Sequence, residues 1–282
     1  MTQKLNYALS NNVSIPVIAL GTWQAENGPV ATDAVTQALN ADYRHIDTAI
    51  MYGNEESVGK AVKLSQIPRN EIFITTKLNN NVRGYNETIE AIKESLNVMQ
   101  TDYIDLFLIH WPNPIKFRDS WKESNAESWR AFEDMYKQGK IKAIGVSNFE
   151  AHHMDALLET ATIMPMVNQI RISPGDEPKE IIEYCRQRNI LLEAYCPLAR
   201  GNLFKNKVLL ELANKYEKSV AQLIIRWHLQ KGSLPLPKSV SPSRIKENIN
   251  VFDFEISEDD MNLISNVDSP FDEPIMPDKI DF

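Results

Sequence analysis

Short β-branched or apolar runs recur along the chain, and each is followed by a stretch whose apolar residues repeat at spacings of three and four. The runs are VIALG, RHID, EIFITTK, YIDLFLIH, IKAIGVSN, PMVNQ, ILLEAY and SLPLP. The amphipathic stretches that follow them cover 29–41, 54–65, 85–98, 124–138, 150–161, 178–188, 219–230 and 242–248. In the third, Ile89, Ile92 and Leu96 fall on one side of a helix. Strands that alternate with helices pair in parallel, because each return across the sheet runs through the helix. Several runs are apolar throughout, the pattern of strands covered on both faces. Eight such units in roughly 250 residues predict an α/β fold, a (β/α)8 TIM barrel rather than a doubly wound sheet.

Three segments lie outside the repeat. LNYALSNNVSIP reads as an N-terminal β-hairpin turning at Asn11-Asn12 and closing the bottom of the barrel. Residues 206–217 and the segment opening Ser257-Glu258-Asp259-Asp260 read as two extra helices, the second begun by a capping box of Ser257 and Asp260. No Gly/Ser linker, low-complexity tract or charge block interrupts the sequence, so residues 1–282 are read as a single domain.

Composition narrows the function classes. Hydrophobic residues at 43% suffice for a large core, and 30 Lys plus Arg against 38 Asp plus Glu leave a net charge of -8. That charge disfavours nucleic acid and anionic membranes as partners, so any bound anion must be met by a local cluster of cations. The N-terminus lacks the basic start and apolar run of a secretory signal, and nowhere do about 18 apolar residues run together; a cytoplasmic protein is expected. Cys185 and Cys196 are too few for a disulfide framework, which fits a reducing compartment. His152 and His153, adjacent on an expected helix, should point in different directions, and no metal site is read.

In a parallel barrel the chemistry sits at the C-terminal ends of the strands. Those ends carry Asp47, Lys77, His110, Asn148, Gln169, Tyr195 and Lys238. Singly, each has a plain structural explanation, a helix cap or a solvated lysine; seven together are hard to attribute to capping. The stretch HIDTAIMYGNEE sets Asp47 and Tyr52 five positions apart in a bend, with Asn54 placed to cap the next helix. A tyrosine ordinarily ionises near pH 10, too high for a ready proton donor. A lysine cation held by an aspartate favours the phenolate, so Lys77 and Asp47 are expected to lower that value, and His110 to orient a carbonyl from a second side. Near the C-terminus, KSVSPSR puts Lys238, Ser239 and Arg244 around a helix start capped by Ser241 with Pro242 at its first position. This is a phosphate site in an otherwise acidic chain.

These segments resemble the aldo-keto reductases, most of all the bacterial, 2,5-diketo-D-gluconate reductase-like members. YRHIDTAIMYGNEESVG is similar to the family's first signature, TDYIDLFLIHWP to the strand and loop carrying its histidine, and LPKSVSPSRIKENI to its third. The likeness runs from about residue 5 to 270. It implies Tyr52 as proton donor, Lys77 and Asp47 tuning it, His110 orienting the carbonyl, and hydride arriving from NADPH lying across the barrel mouth, which accounts for the lack of any GxGxxG. It implies cofactor contacts from Thr22, Trp23, Ser147, Asn148, Gln169, Tyr195, Cys196, Pro197, Leu198, Lys238, Ser239, Val240, Arg244 and Asn248. The phosphate cluster argues for NADPH over NADH, since only the former carries a 2′-phosphate.

Trp23, Tyr52, His110 and Trp111 are expected around a small-molecule carbonyl substrate, and the short tail SNVDSPFDEPIMPDKIDF suggests an open pocket in a protein that acts as a monomer. Asp42, Arg171, Ser173 and Cys196 stand where the family usually has other residues. Two readings compete with the reductase: a non-catalytic NADPH-binding regulatory or sensing subunit of the same fold, and a barrel aldolase using Lys77 as a Schiff-base lysine.

Overall fold

The computed structural model describes residues 5–282. It opens on an antiparallel hairpin of β1 (Asn6–Ala8) and β2 (Ser14–Pro16), turning through Asn12 at φ 65°, as the sequence predicts. Eight parallel strands follow: β3 (Leu20–Gly21), β4 (His45–Asp47), β5 (Phe73–Leu78), β6 (Ile104–Ile109), β7 (Ile141–Ser147), β8 (Val167–Arg171), β9 (Leu191–Tyr195) and β10 (Leu234–Pro235). Each pairs with the next in chain order. The connecting helices are α1 (Pro29–Asn40), α2 (Glu55–Leu64), α3 (Tyr85–Val98), α4 (Trp121–Lys137), α5 (Ala151–Leu158) and α6 (Lys179–Gln187). The two expected extra helices are α7 (Lys207–Lys215) and α10 (Glu258–Ser265), with α8 (Val220–Gln230) and α9 (Pro242–Ile249) between them. Among the described residues no helix is long and apolar enough to cross a membrane.

The first and last strands are shorter than VIALG and SLPLP suggest, and the prolines explain the last. Pro235 and Pro237 have no N–H, so across the closing seam they only accept: from Ala19 N at 3.2 Å and Gly21 N at 3.1 Å. These bonds and the Gly21–Lys238 bridge shut the barrel. Gly21 suits the close approach at this seam, since a Cβ there would lie 3.1 Å from the Leu236 carbonyl oxygen, tighter than an ordinary contact. Asp42 takes the left-handed conformation, φ 69°, in the turn before β4. Aspartate tolerates that region better than most residues, so the turn survives the departure from glycine.

All residues of β5 and β6 are buried, because helices cover one face and the barrel interior the other. Alternation then turns His45 and Asp47, Thr75 and Lys77, and Gln169, Glu193 and Tyr195 to the same side of their strands, which places a polar layer inside an otherwise apolar barrel.

Two expected caps are otherwise employed. Ser257 accepts from Asp260 N at 3.3 Å, but the Asp260 carboxylate turns to Lys215 and Tyr216 instead of closing the box. Asn54 makes no side-chain cap on α2. Fully buried, it accepts from Thr48 Oγ1 at 2.6 Å and donates to the carbonyls of Thr22 (3.0 Å) and Ala25 (2.9 Å), tying the loop after β3 to the loop after β4. Asn54→Ala strands the Ala25 carbonyl and the Thr48 hydroxyl, while the Thr22 carbonyl keeps only its bond from Ala25 N at 2.9 Å. It is expected to lower the unfolding free energy by about 2–4 kcal/mol, read as a drop in urea midpoint at unchanged slope.

Candidate active site

At the mouth end of the polar layer, Lys77 is fully buried and donates to both Asp47 carboxylate oxygens and to the Thr48 carbonyl, each at 2.8 Å. The Asp47 carbonyl is fixed by Thr22 N and Thr22 Oγ1, both at 3.0 Å, so backbone and side chain of this residue are held by neighbouring strands. A 3-10 turn over Ile50–Tyr52 leads directly from β4 and carries the Tyr52 ring to 5.0 Å from Lys77 Nζ and 5.7 Å, edge to face, from the His110 ring. The four residues expected to work together therefore converge.

One electrostatic expectation is corrected. Tyr52 is pushed well above its ordinary value, by burial first and then by Asp47 and Cys196, not lowered by Lys77. The reason is visible in the bonding: the three Lys77 protons go to Asp47 and Thr48, so Tyr52 faces a neutralised pair rather than a bare cation. Tyr52 is half-buried, and with its value raised the phenol stays protonated. His110 is pushed well below 6.5, by burial first and then by Lys77 and Arg83, so its ring is neutral. Its Nδ1 is buried and has no hydrogen-bond partner among the described residues.

The cofactor residues expected from the sequence fall into two groups. Ser147, Asn148 and Gln169 adjoin one another but spend their donors internally. Ser147 Oγ donates to the Gln169 carbonyl (2.8 Å), Asn148 Nδ2 to the His110 carbonyl (3.0 Å), and Gln169 Nε2 to Asp47 and Glu193 (2.8 Å each). Tyr195 donates to Asn148 Oδ1 at 2.7 Å. Beyond β9, Cys196, Ala199 and Arg200 all adopt positive φ, a strained turn of the kind found at binding sites, which carries Pro197 and Leu198. Across the mouth, Lys238 and Arg244 are exposed and form no ion pair among the described residues. Ser239 Oγ accepts from Ser241 N at 3.1 Å, whereas the expected Ser241 cap on α9 is not made. Val240 is exposed and Asn248 buried alongside.

The pocket walls include residues the sequence did not single out. Trp23 is stacked by the Arg200 guanidinium at 4.9 Å, and Trp111 meets the ring of Phe282 edge to face at 5.3 Å. The tail thus folds back onto the mouth instead of leaving it open on that side. Asp278 accepts from Asn113 Nδ2 (2.8 Å) and His153 Nε2 (2.9 Å), with His152 Nε2 at 3.1 Å. The expectation that the two histidines point apart is overturned: their rings lie 3.8 Å apart and converge on Asp278. With Glu150 they bring possible ligand atoms within 4.8 Å of one another. His153 Nδ1, however, accepts from Glu150 N at 3.2 Å, so the proton is on Nε2, which suits a hydrogen-bonded clasp better than a metal. Arg171 adds a second clip, pairing with Asp176 at 2.6 Å, donating to the Glu273 carbonyl at 3.1 Å and covering Phe271. Buried Arg83, bonded to Asn125 Oδ1 at 3.1 Å, holds the Trp111 carbonyl. A cleft of about 1370 Å³ between the hairpin and the N-terminal strand ends, where barrels carry stability rather than chemistry, is lined by none of Asp47, Tyr52, Lys77 and His110.

Residues 17–269 match the Aldo/keto reductase family. The chain is 48% identical over 256 residues to a glyoxal reductase of Bacillus subtilis (strain 168), covering 91% of this chain and 90% of that protein. It is 42% identical over 256 residues to the methylglyoxal reductase DkgA of Escherichia coli (strain K12), covering 90% of each. A solved Bombyx mori aldo-keto reductase in complex with NADP superposes with a TM-score of 0.85 at 34% identity, covering 94% of this chain and 93% of that one.

The tail clasp yields a test. Burial alone would raise the Asp278 carboxyl, but the Asn113 bond and the two imidazoles outweigh it and hold it below its usual range. A depressed carboxyl stabilises above the unfolded value of about 3.9 and loses that contribution as pH falls through the lower folded value. Limited proteolysis should therefore cut the tail of Asp278→Ala readily at neutral pH, while the wild-type tail resists until pH falls below about 4.

Proposed function

The chain belongs to the aldo/keto reductase family, an oxidoreductase family acting on carbonyl groups, and from that premise we propose that it reduces small aldehydes and ketones, α-dicarbonyls among them, to alcohols with NADPH. The observation that carries this reading is the convergence of Tyr52 and His110 above the buried Lys77–Asp47 pair. When bound, NADPH supplies the hydride. The residues present suit it: two unpaired cations at the start of α9 for a 2′-phosphate, the strained Cys196–Gly201 turn for the pyrophosphate, and the Tyr195 ring for the nicotinamide.

Tyr52 gives its proton to the carbonyl oxygen. The raised value of the phenol does not prevent this, since a developing alkoxide is a stronger base than a phenolate, and Lys77 lies close enough to steady the charge left behind. His110, neutral, has a hydrogen bond to give to the same oxygen and so fixes the face presented to hydride. Trp23, Trp111 and Phe282 form an aromatic enclosure suited to short carbonyl compounds. Lys77 is fully buried with all three protons engaged, which argues against a Schiff-base lysine. On this reading the protein acts alone, as a cytoplasmic monomer.

A panel of glyoxal, methylglyoxal and longer aldehydes, followed by loss of reduced-nicotinamide absorbance, tests the activity. Tight NADPH binding with no turnover across the panel would favour the non-catalytic alternative. Tyr52→Phe should bind NADPH normally and lose roughly 100-fold to 10,000-fold in turnover. Lys238→Ala with Arg244→Ala should raise the KM for NADPH by about 10-fold to 100-fold and leave that for NADH nearly unchanged.

A further inference from the structure

Beneath the Lys77–Asp47 pair lies a second acid that the mechanism has not used. Glu193, two residues before Tyr195 on β9, is fully buried. Its Oε2 accepts from Gln169 Nε2 at 2.8 Å, and the same Nε2 donates to Asp47 Oδ2 at 2.8 Å, so one side-chain amide spans two carboxyl groups. Oε1 has no hydrogen-bond partner among the described residues. His45 Nε2 lies 4.0 Å from Oε1 and is engaged with Thr75 Oγ1 at 2.8 Å.

The groups facing this chamber can be named strand by strand. β4 contributes His45 and Asp47, β5 contributes Thr75 and Lys77, β8 contributes Gln169, and β9 adds Tyr195 beside Glu193; the residues of β6 and β7 in register with Thr75 and Lys77 (Leu106, Leu108, Ala143 and Gly145) and the strand residues of β3 and β10 bring no ionisable side chain. Among the described residues the one cation here is Lys77, and its protons are committed to Asp47 and Thr48. An ionised Glu193 would be a second buried anion beside Asp47 with one oxygen bare of donors, whereas a proton on that oxygen removes the charge and breaks no hydrogen bond. Burial first, and Asp47 second, raise the Glu193 carboxyl to about 8, while burial drives His45 down to about 3, so the chamber holds one cation and one anion at neutral pH.

We propose that Glu193 is a positioning residue for carbonyl reduction: as a neutral acid it lets Gln169 brace Asp47 and keep the Lys77–Asp47 pair aligned under Tyr52, and its ionisation disables turnover. This rests on the reductase reading above. Ionisation adds negative charge close to Asp47, pulls the Gln169 amide away from it and makes proton loss from Tyr52 harder. Turnover is therefore present below about pH 8 and lost above it. Stability follows the same sign: a carboxyl raised on folding contributes most below its unfolded value and loses that contribution as pH rises through about 8.

The test compares kcat against pH for wild type, Glu193→Gln and Glu193→Asp at saturating NADPH and methylglyoxal, each profile scaled to its own maximum. Wild type should fall about tenfold per pH unit above about 8; Glu193→Gln, which cannot ionise, should lose that limb, and Glu193→Asp should retain one. In parallel, infrared spectra of the cofactor-free protein should show a protonated-carboxyl band that disappears as pH rises through about 8 and is missing from Glu193→Gln. This second readout needs no turnover. An alkaline limb unchanged in Glu193→Gln, or no titrating carboxyl band, overturns the role of Glu193. A wild type that shows the band but reduces no carbonyl at any pH overturns the reductase reading and, with it, the positioning role.

Discussion

Two opposite charges, Lys77 and Asp47, sit inside the barrel with almost no exposure to water, and most of the candidate site is arranged around the need to satisfy them. A buried pair of this kind is stable only when its remaining protons and lone pairs are also met, and removing one partner commonly costs about 3–5 kcal/mol. Here the third Lys77 proton is met by the Thr48 carbonyl and the outer Asp47 oxygen by Gln169, so strands β4, β5 and β8 must keep register for the pair to exist. The polar layer and the barrel thus specify each other. The short connection out of β4 brings Tyr52 over the pair five positions after Asp47, and the buried Asn54 staple holds that turn to the loop carrying Trp23.

The mouth is finished by elements that contribute little to the barrel itself. The strained turn after β9 brings Arg200 against Trp23, and the C-terminal tail, clipped by Arg171 and clasped by Asn113, His152 and His153, brings Phe282 against Trp111. The strands and the turn after β4 place Tyr52, His110 and the Lys77–Asp47 pair, and the loops and tail shape the mouth above them.

Much of this was legible in the sequence. The alternation of apolar runs with amphipathic stretches gave helix boundaries within a few residues, because burial on both faces of a strand and one face of a helix writes directly into residue type. The convergence of Asp47, Tyr52, Lys77 and His110 followed from strand ends in a barrel. What remained hidden depends on contacts between residues far apart in the chain. Asn54 looked like a cap because its neighbours Thr22 and Ala25 are remote, and the Asp47 hold on Lys77 was expected but the third acceptor, the Thr48 carbonyl, was not, because a backbone acceptor is not written in residue type. His152 and His153 were expected to diverge since nothing in their own helix announces Asp278. Glu193 sits in an apolar run, ILLEAY, where its only signal was a charged residue in a strand covered on both faces.

The central claim is that Lys77 and Asp47 act on the reaction as one unit. A double-mutant cycle in kcat, comparing Lys77→Met, Asp47→Asn and the combination in protein verified as folded by near-ultraviolet circular dichroism, tests it most directly. The account predicts that each single change lowers kcat severely and that the double variant loses no more than the worse single. Losses that multiply, or a single variant with near-normal kcat, would contradict it.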